Sequence, residues 1–135
     1  MSIRDYLPES DFDCVYGLYE VVGWTAYTND PVKLGNALEN STLVLLFTEG
    51  DQVLGLIRCI SDGHTICYIQ DILVNPTNQR NGIGKELVEK VLEKYSHVRQ
   101  IVLMTDNEEG QRNFYENLGF QEIKGELRGF ARIQS

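Results

Sequence analysis

Gln79-Arg80-Asn81-Gly82-Ile83-Gly84 is the stretch that decides how this chain of 135 residues is read. Ahead of it, Ile66-Cys67-Tyr68-Ile69-Gln70-Asp71-Ile72-Leu73-Val74 reads as a buried strand. Asn75-Pro76-Thr77-Asn78 stops that strand, because proline has no N–H to give a ladder. Behind it, Ile83, Leu87, Val88, Val91, Leu92 and Tyr95 recur at helical spacing and define an apolar stripe. The two glycines therefore fall where a strand has ended and a helix is about to begin. Glycine lets a backbone turn tightly and lets another molecule approach the main chain. The first turn of a helix offers unpaired N–H groups and a partial positive charge. Together these predict an anion site suited to a phosphate or pyrophosphate.

Spacing excludes two familiar phosphate binders. A P-loop needs a glycine five residues before its Gly-Lys pair and a Ser or Thr after it. Gly84-Lys85 has Gln79 and Glu86 at those places. A dinucleotide fingerprint needs a third glycine three residues after the second, and that residue is Leu87. The net charge of −8 argues against nucleic acid, whose binding requires a basic surface. Hydrophobic residues make up 42% and charged residues 24%, an ordinary globular composition for a single domain over residues 1–135. No apolar run approaches a membrane span, and Met1-Ser2-Ile3-Arg4-Asp5 lacks a signal-peptide core, so a cytoplasmic protein is expected. Cys14, Cys59 and Cys67 show no metal spacing and read as free thiols; no metal site is expected.

The rest of the chain alternates helix and strand. Ser2–Leu7 reads as a first strand, and Pro8-Glu9-Ser10-Asp11 opens a helix with Ser10 as candidate cap. Val15, Leu18, Tyr19 and Val22 supply its buried face and Gly23 ends it. Trp24–Asn29 follows as a loop, with Trp24 and Tyr27 as candidates for lining a substrate pocket. Asp30-Pro31 starts a short second helix. Leu43–Thr48, Gln52–Ile60 and Thr65–Val74 read as three antiparallel strands joined by turns at Glu49-Gly50-Asp51 and Ser61–His64. After the glycine helix, Gln100–Met104 is a buried strand, consistent with a parallel crossover. A helix containing Phe114, Tyr115 and Leu118 closes at Gly119. Phe120–Lys124 and Arg128–Ile133 read as a last strand pair across Gly125-Glu126-Leu127.

Gln-x-x-Gly-x-Gly between strand and helix resembles the signature of the GNAT superfamily of N-acetyltransferases. Asn113-Phe114-Tyr115-Glu116-Asn117-Leu118-Gly119-Phe120 resembles the same family's Phe-Tyr-x-x-x-Gly-Phe segment. The order β-α-α-β-β-β-α-β-α-β-β is similar to the whole GNAT fold. The resemblance implies an α/β (α+β) acyl-CoA N-acyltransferase fold, with a mixed, mostly antiparallel sheet, splayed central strands and flanking helices. It implies acetyl-CoA as cofactor, its pyrophosphate held in the Gln79, Arg80, Asn81, Gly82, Ile83, Gly84, Lys85 turn. Leu73 and Val74 would pair by main chain with the pantetheine arm, as an added strand does. The main chain near Val74 would also donate to the carbonyl oxygen as charge builds there. Asn107 matches the family asparagine that bonds the pantetheine, with one residue more before Tyr115 than in the commonest pattern.

Tyr115 occupies the place of the family tyrosine that protonates the leaving thiolate. A phenol with pKa ~10 is protonated at neutral pH and so can serve a thiolate of pKa ~8.5. Acidic or basic residues that some relatives carry on the fourth strand fall here on Tyr68 and Gln70, neither a good base, though both would line the substrate side. Alternation along a strand points the adjacent Asp71 to the opposite face, as a buried carboxylate bonded to backbone. His64 and His97 read as surface residues. The expected activity is acetyl transfer to a primary amine of a small molecule by direct attack, since no cysteine or serine is placed as an acyl-enzyme nucleophile. Acetylation of a protein lysine or N-terminus, and a non-catalytic acetyl-CoA-binding module, are the alternatives. Members of the family often dimerise through their C-terminal strands, so the resemblance leaves both a monomer and a homodimer open.

Overall fold

An edge strand, β1 (Ser2–Asp5), begins the chain and pairs antiparallel with β2 (Leu43–Glu49). The computed structural model describes residues 1–134, so the single domain expected over 1–135 reaches one residue outside the described ones. β2 pairs antiparallel with β3 (Gln52–Ser61), and β3 with β4 (Ile66–Val74). β5 (Gln100–Leu103) joins β4 in parallel, which gives a five-stranded mixed sheet in sequence order. Helix α4 (Ile83–Lys94) is the crossover that a parallel pair requires. The chain forms two compact units, Met1–Met104 and a second from Thr105 onward.

Helices α1 (Pro8–Val22), α2 (Thr25–Thr28) and α3 (Pro31–Glu39) connect β1 to β2. Val15, Leu18 and Tyr19 of α1 and Leu34 and Leu38 of α3 bury against Val44, Leu46, Leu56 and Leu73 of the sheet. α1 starts at Pro8 rather than at a Ser10 cap, because proline already holds the backbone angle of a first helical turn. No N-cap side chain bonds into the first turn, and Asp11 instead reaches back to the residue before the helix. It accepts from the Leu7 N–H at 2.8 Å and from Arg4 Nη1 and Nη2 at 2.7 and 2.9 Å. The Trp24–Asn29 segment, expected as a loop, contains the single turn α2.

Two irregularities in the sheet matter below. β4 pairs with β5 only from Ile66 to Ile69, so Gln70–Val74 continues with that edge unpaired among the described residues. The central strands thus part company midway along β4. In the β3–β4 ladder, Arg58 faces Asp71 but Cys59 faces Ile69, which leaves Gln70 as an extra residue, a β-bulge.

In the second unit, α5 (Glu109–Asn117) ends as Leu118 and Phe120 both donate to the Tyr115 carbonyl and Gly119 turns with φ 91°. The strand pair expected at Phe120–Lys124 and Arg128–Ile133 is not formed: residues 121–134 are neither helix nor strand. They are also exposed, with Phe130 94% accessible. Phe120, Ile123, Leu127, Phe130 and Ile133 fall three and four residues apart, so they do not share one face of a strand, and an isolated hairpin is marginal in water.

Candidate functional site

The turn between β4 and α4 is held open by its backbone. Asn75 folds its side-chain oxygen onto the Thr77 N–H at 3.0 Å, and Pro76–Asn78 forms one 3-10 turn. Arg80 then takes φ 74°, the one non-glycine residue with positive φ among those described. Gly82 takes φ 78° as N-cap of α4. A left-handed arginine is strained, and such strain persists where the surroundings over-determine it, commonly at ligand sites. A Cβ on Gly82 would meet nothing within 4 Å, so glycine is required there by its angle, and the space before it is empty. The first helical bond runs from the Glu86 N–H to the Gly82 carbonyl, and no side chain caps the helix. The N–H groups from Arg80 to Lys85 therefore have no protein acceptor among the described residues, and they sit at the positive end of α4. Successive free N–H groups around left-handed residues make an anion cradle.

What fixes the cradle is a glycine on β3. A Cβ on Gly55 would lie 2.7 Å from Ile83 Cγ2, 3.2 Å from Leu87 Cδ1 and 3.2 Å from the Leu73 carbonyl oxygen. Only glycine lets the first turn of α4 sit this close to the sheet. Ile83, Leu87, Val88 and Val91 are buried there, which pins the start of α4 to the end of β4. The unpaired edge of β4 at Leu73 and Val74 leads directly into this turn. An extended ligand with an anionic head matches that sequence of a free strand edge followed by free N–H groups.

Behind the edge lies a buried polar network. Asp71, 1% exposed, accepts from Arg58 Nε at 2.7 Å, from the Tyr19 hydroxyl at 2.7 Å and from the Tyr27 hydroxyl at 2.9 Å. Arg58, 7% exposed, also donates to Ser41 Oγ at 3.1 Å and to the Tyr27 oxygen at 3.2 Å, with its guanidinium over the Tyr27 ring. The Gln70 amide nitrogen donates to the same phenol at 3.3 Å. Two expectations are corrected here. Asp71 is bonded to side chains rather than backbone, and it shares a phenol with Gln70 instead of facing away from it. The bulge at Gln70 breaks the two-residue alternation on which that expectation rested. Burial first, then the charge on Asp71, raises the pKa of both Tyr19 and Tyr27, so both stay protonated. Burial works against the Arg58 cation, but attraction and hydrogen bonding to Asp71 outweigh it and its pKa rises. Removing one partner of such a buried pair costs about 3–5 kcal/mol.

Trp24 is half-buried, edge-on to Tyr19 and stacked on Tyr27 at 6.1 Å between ring centres, so it props the Tyr27 ring. Tyr68 is half-buried on β4, its pKa raised by burial and then by Asp71. Asn107 and Tyr115 lie in the second unit, Asn107 exposed. Tyr115 is half-buried with its ring edge-on to Phe114 and Phe120, and burial pushes its phenol up to about 12. His64 and His97 are exposed; His97 Nε2 lies 2.8 Å from the Gly63 carbonyl. Arg58 is the residue that sequence reasoning missed. Its signal was a lone cation inside the apolar run Val53–Ile60, one hairpin away from a lone anion in the next apolar run. Among the described residues, no group of His, Cys, Asp and Glu is arranged to hold a metal, and no helix is long and apolar enough to cross a membrane.

A family model for an acetyltransferase (GNAT) domain matches residues 16–134. GCN5-related N-acetyltransferase 2, a chloroplastic protein of Arabidopsis thaliana, is 31% identical over 143 aligned positions covering 90% of this chain and 54% of that protein. A histone acetyltransferase of Glycine max is 30% identical over 129 positions covering 85% and 55%. The chain thus spans about half the length of these plant relatives. The solved structure of a GNAT family acetyltransferase from Streptococcus pneumoniae superposes with a TM-score of 0.84 at 30% identity, covering 98% of this chain and 96% of that one.

Proposed function

Because the chain belongs to the GNAT family of acetyltransferases, we propose that it transfers the acetyl group of acetyl-CoA to a primary amine of a small molecule, by direct attack within a ternary complex. The observation that carries this reading is the unpaired edge of β4 running into the free N–H groups at the start of α4. The residues fit the cofactor: N–H groups from Arg80 to Lys85 suit its pyrophosphate, and the exposed side chains of Arg80 and Lys85 add charge. Main-chain groups of Leu73 and Val74 suit the pantetheine amides. When bound, acetyl-CoA supplies the thioester carbonyl that the amine attacks.

The chain's own residues take the remaining tasks. An amine must lose a proton to become a nucleophile. Asp71 is buried and already engaged by three donors, and Tyr27 holds its proton, so neither is assigned as the base; solvent water carries the proton away. Tyr115 is assigned the protonation of the leaving thiolate by its place in the Phe-Tyr-x-x-x-Gly-Phe segment. A protein lysine or N-terminus is the second acceptor class, favoured by the similarity to the Glycine max histone acetyltransferase. A non-catalytic acetyl-CoA-binding module is the rival without turnover.

Calorimetric titration with acetyl-CoA, repeated on Gly82→Asp, tests the reading. Micromolar binding (on the order of −8 kcal/mol) that the variant abolishes is the expected result. No binding to a folded sample at millimolar acetyl-CoA would sink the transferase assignment. Acetylation of a lysine peptide but no small amine would move it to the second class. Binding without any turnover would leave the module.

A further inference from the structure

The hydrogen-bond inventory around Tyr27 fixes the direction of every bond in it. Arg58 has only donors, and Asp71 as a carboxylate has only acceptors. Tyr27 has one proton to give. It has two candidate acceptors, the buried Asp71 Oδ1 at 2.9 Å and the exposed Gln70 amide at 3.3 Å. The charge-assisted bond is about twice as strong as a neutral one, and leaving a buried carboxylate oxygen short of a donor is the costlier failure. The proton therefore goes to Asp71. The phenol oxygen is left as an acceptor, taking Arg58 Nη2 on one side and requiring an N–H from Gln70 on the other. Gln70 is thus bound through Nε2, and its Oε1 is turned away from Tyr27.

Where that oxygen sits gives it a use. Gln70 is the bulge residue and also the first residue of β4 beyond the pairing with β5. It lies at the fork of the two strands, upstream of the edge at Leu73 and Val74 and of the cradle at Arg80 to Lys85. A cofactor lying along the downstream part of β4 would leave Gln70 at its reactive end, where the second substrate enters. This step rests on the function proposed above. We propose that Gln70 is the residue that receives the acceptor amine: its Oε1 accepts a hydrogen bond from the amine N–H, and the Arg58–Asp71–Tyr27 chain positions it to do so. A carboxamide suits the task better than a carboxylate. A negative partner would favour the charged ammonium, which cannot attack, whereas a neutral oxygen orients the amine without holding its proton.

Two measurements test this. In a side-chain amide NMR spectrum of the free protein, the Gln70 carboxamide protons should stand apart from solvent-exposed glutamines and collapse toward them in Tyr27→Phe. An unchanged Gln70 signal in that variant would overturn the lock, with no ligand needed. The second is steady-state kinetics with cadaverine, tyramine and a lysine peptide as probe amines. Gln70→Leu should raise the amine KM about tenfold while leaving the acetyl-CoA KM and Tm in place. Gln70→Glu should restore amine binding but lower kcat at neutral pH and move the acidic limb of the profile upward. Tyr27→Phe should raise the amine KM in the wild-type background and add nothing in the Gln70→Leu background. An active enzyme whose amine KM ignores Gln70→Leu would overturn the inference alone. Failure to acetylate any probe, with Gln70 still locked by NMR, would remove the transferase reading and the amine-receiving role with it.

Discussion

Under the proposed function Tyr115 is the general acid, and its environment sets how much it can contribute. With the phenol held near 12 by burial, it keeps its proton at neutral pH but gives it up less readily than an ordinary phenol near ~10. General acids contribute about 10²- to 10⁴-fold. A donor this weak belongs at the lower end. Tyr115→Phe is expected to lower kcat about 10²-fold with acetyl-CoA affinity within threefold of wild type. The sign of the pH effect follows. Because the folded phenol titrates above its unfolded value, the stabilisation is full below ~10 and is lost as pH rises from there through about 12, where the acid form itself is lost. A wild-type alkaline limb near pH 10 that vanishes in Tyr115→Phe would contradict the burial of this side chain. Equal turnover of the two proteins at every pH would take Tyr115 out of the mechanism.

Among the elements, the contact of α4 with β3 is the one to test first, because Gly55 sets how closely the first turn of α4 approaches the sheet. The Leu73 carbonyl near the would-be Gly55 Cβ is main chain and cannot rotate aside. Gly55→Ala should therefore destabilise the fold by about 1–3 kcal/mol in urea unfolding and weaken acetyl-CoA binding as the first turn of α4 shifts. Gly17→Ala, in a helix with open space around it, should be neutral or stabilising. Equal effects of the two would show that Gly55 does not set the position of α4. The same elements show what a linear sequence reveals. The strand break at Asn75-Pro76, the glycines at 82 and 84 and the stripe from Ile83 to Val91 are local signals, and the strand–turn–helix they announce is the one present. The bulge at Gln70 was not legible, because one extra residue in a strand alters no composition and only inverts the faces upstream of it. Arg58 meeting Asp71 was equally hidden, since periodicity identifies buried positions but not which of them meet across a ladder. At the C-terminus, Ile123, Leu127, Phe130 and Ile133 fall four and three residues apart, without the two-residue alternation of a strand, and no strand forms there among the described residues.

For the whole molecule, the net charge of −8 acts on both proposed substrates at once, in opposite directions. A polyanionic cofactor approaches against the mean field, and a cationic amine approaches with it. Raising ionic strength from about 0.01 to about 0.15 M shortens the screening length from about 30 to about 8 Å. Stopped-flow association of acetyl-CoA should then speed up, while the KM of a diamine should rise. Parallel changes in the two would mean that local charges at Arg80 and Lys85 dominate over the molecular field. The edge of β4 from Gln70 to Val74 links this scale to the cell. A sheet that stops pairing midway is unfinished surface, and under the proposed reading its missing neighbour is a metabolite rather than polypeptide. Saturation at a hundred times Kd deepens the folded state by about 2.7 kcal/mol. Shifts of that size change the standing abundance of a protein several-fold where quality control removes unfolded chains. Scarcity of acyl-CoA would then thin the enzyme's population as well as idle it, tying its turnover in the cell to carbon supply.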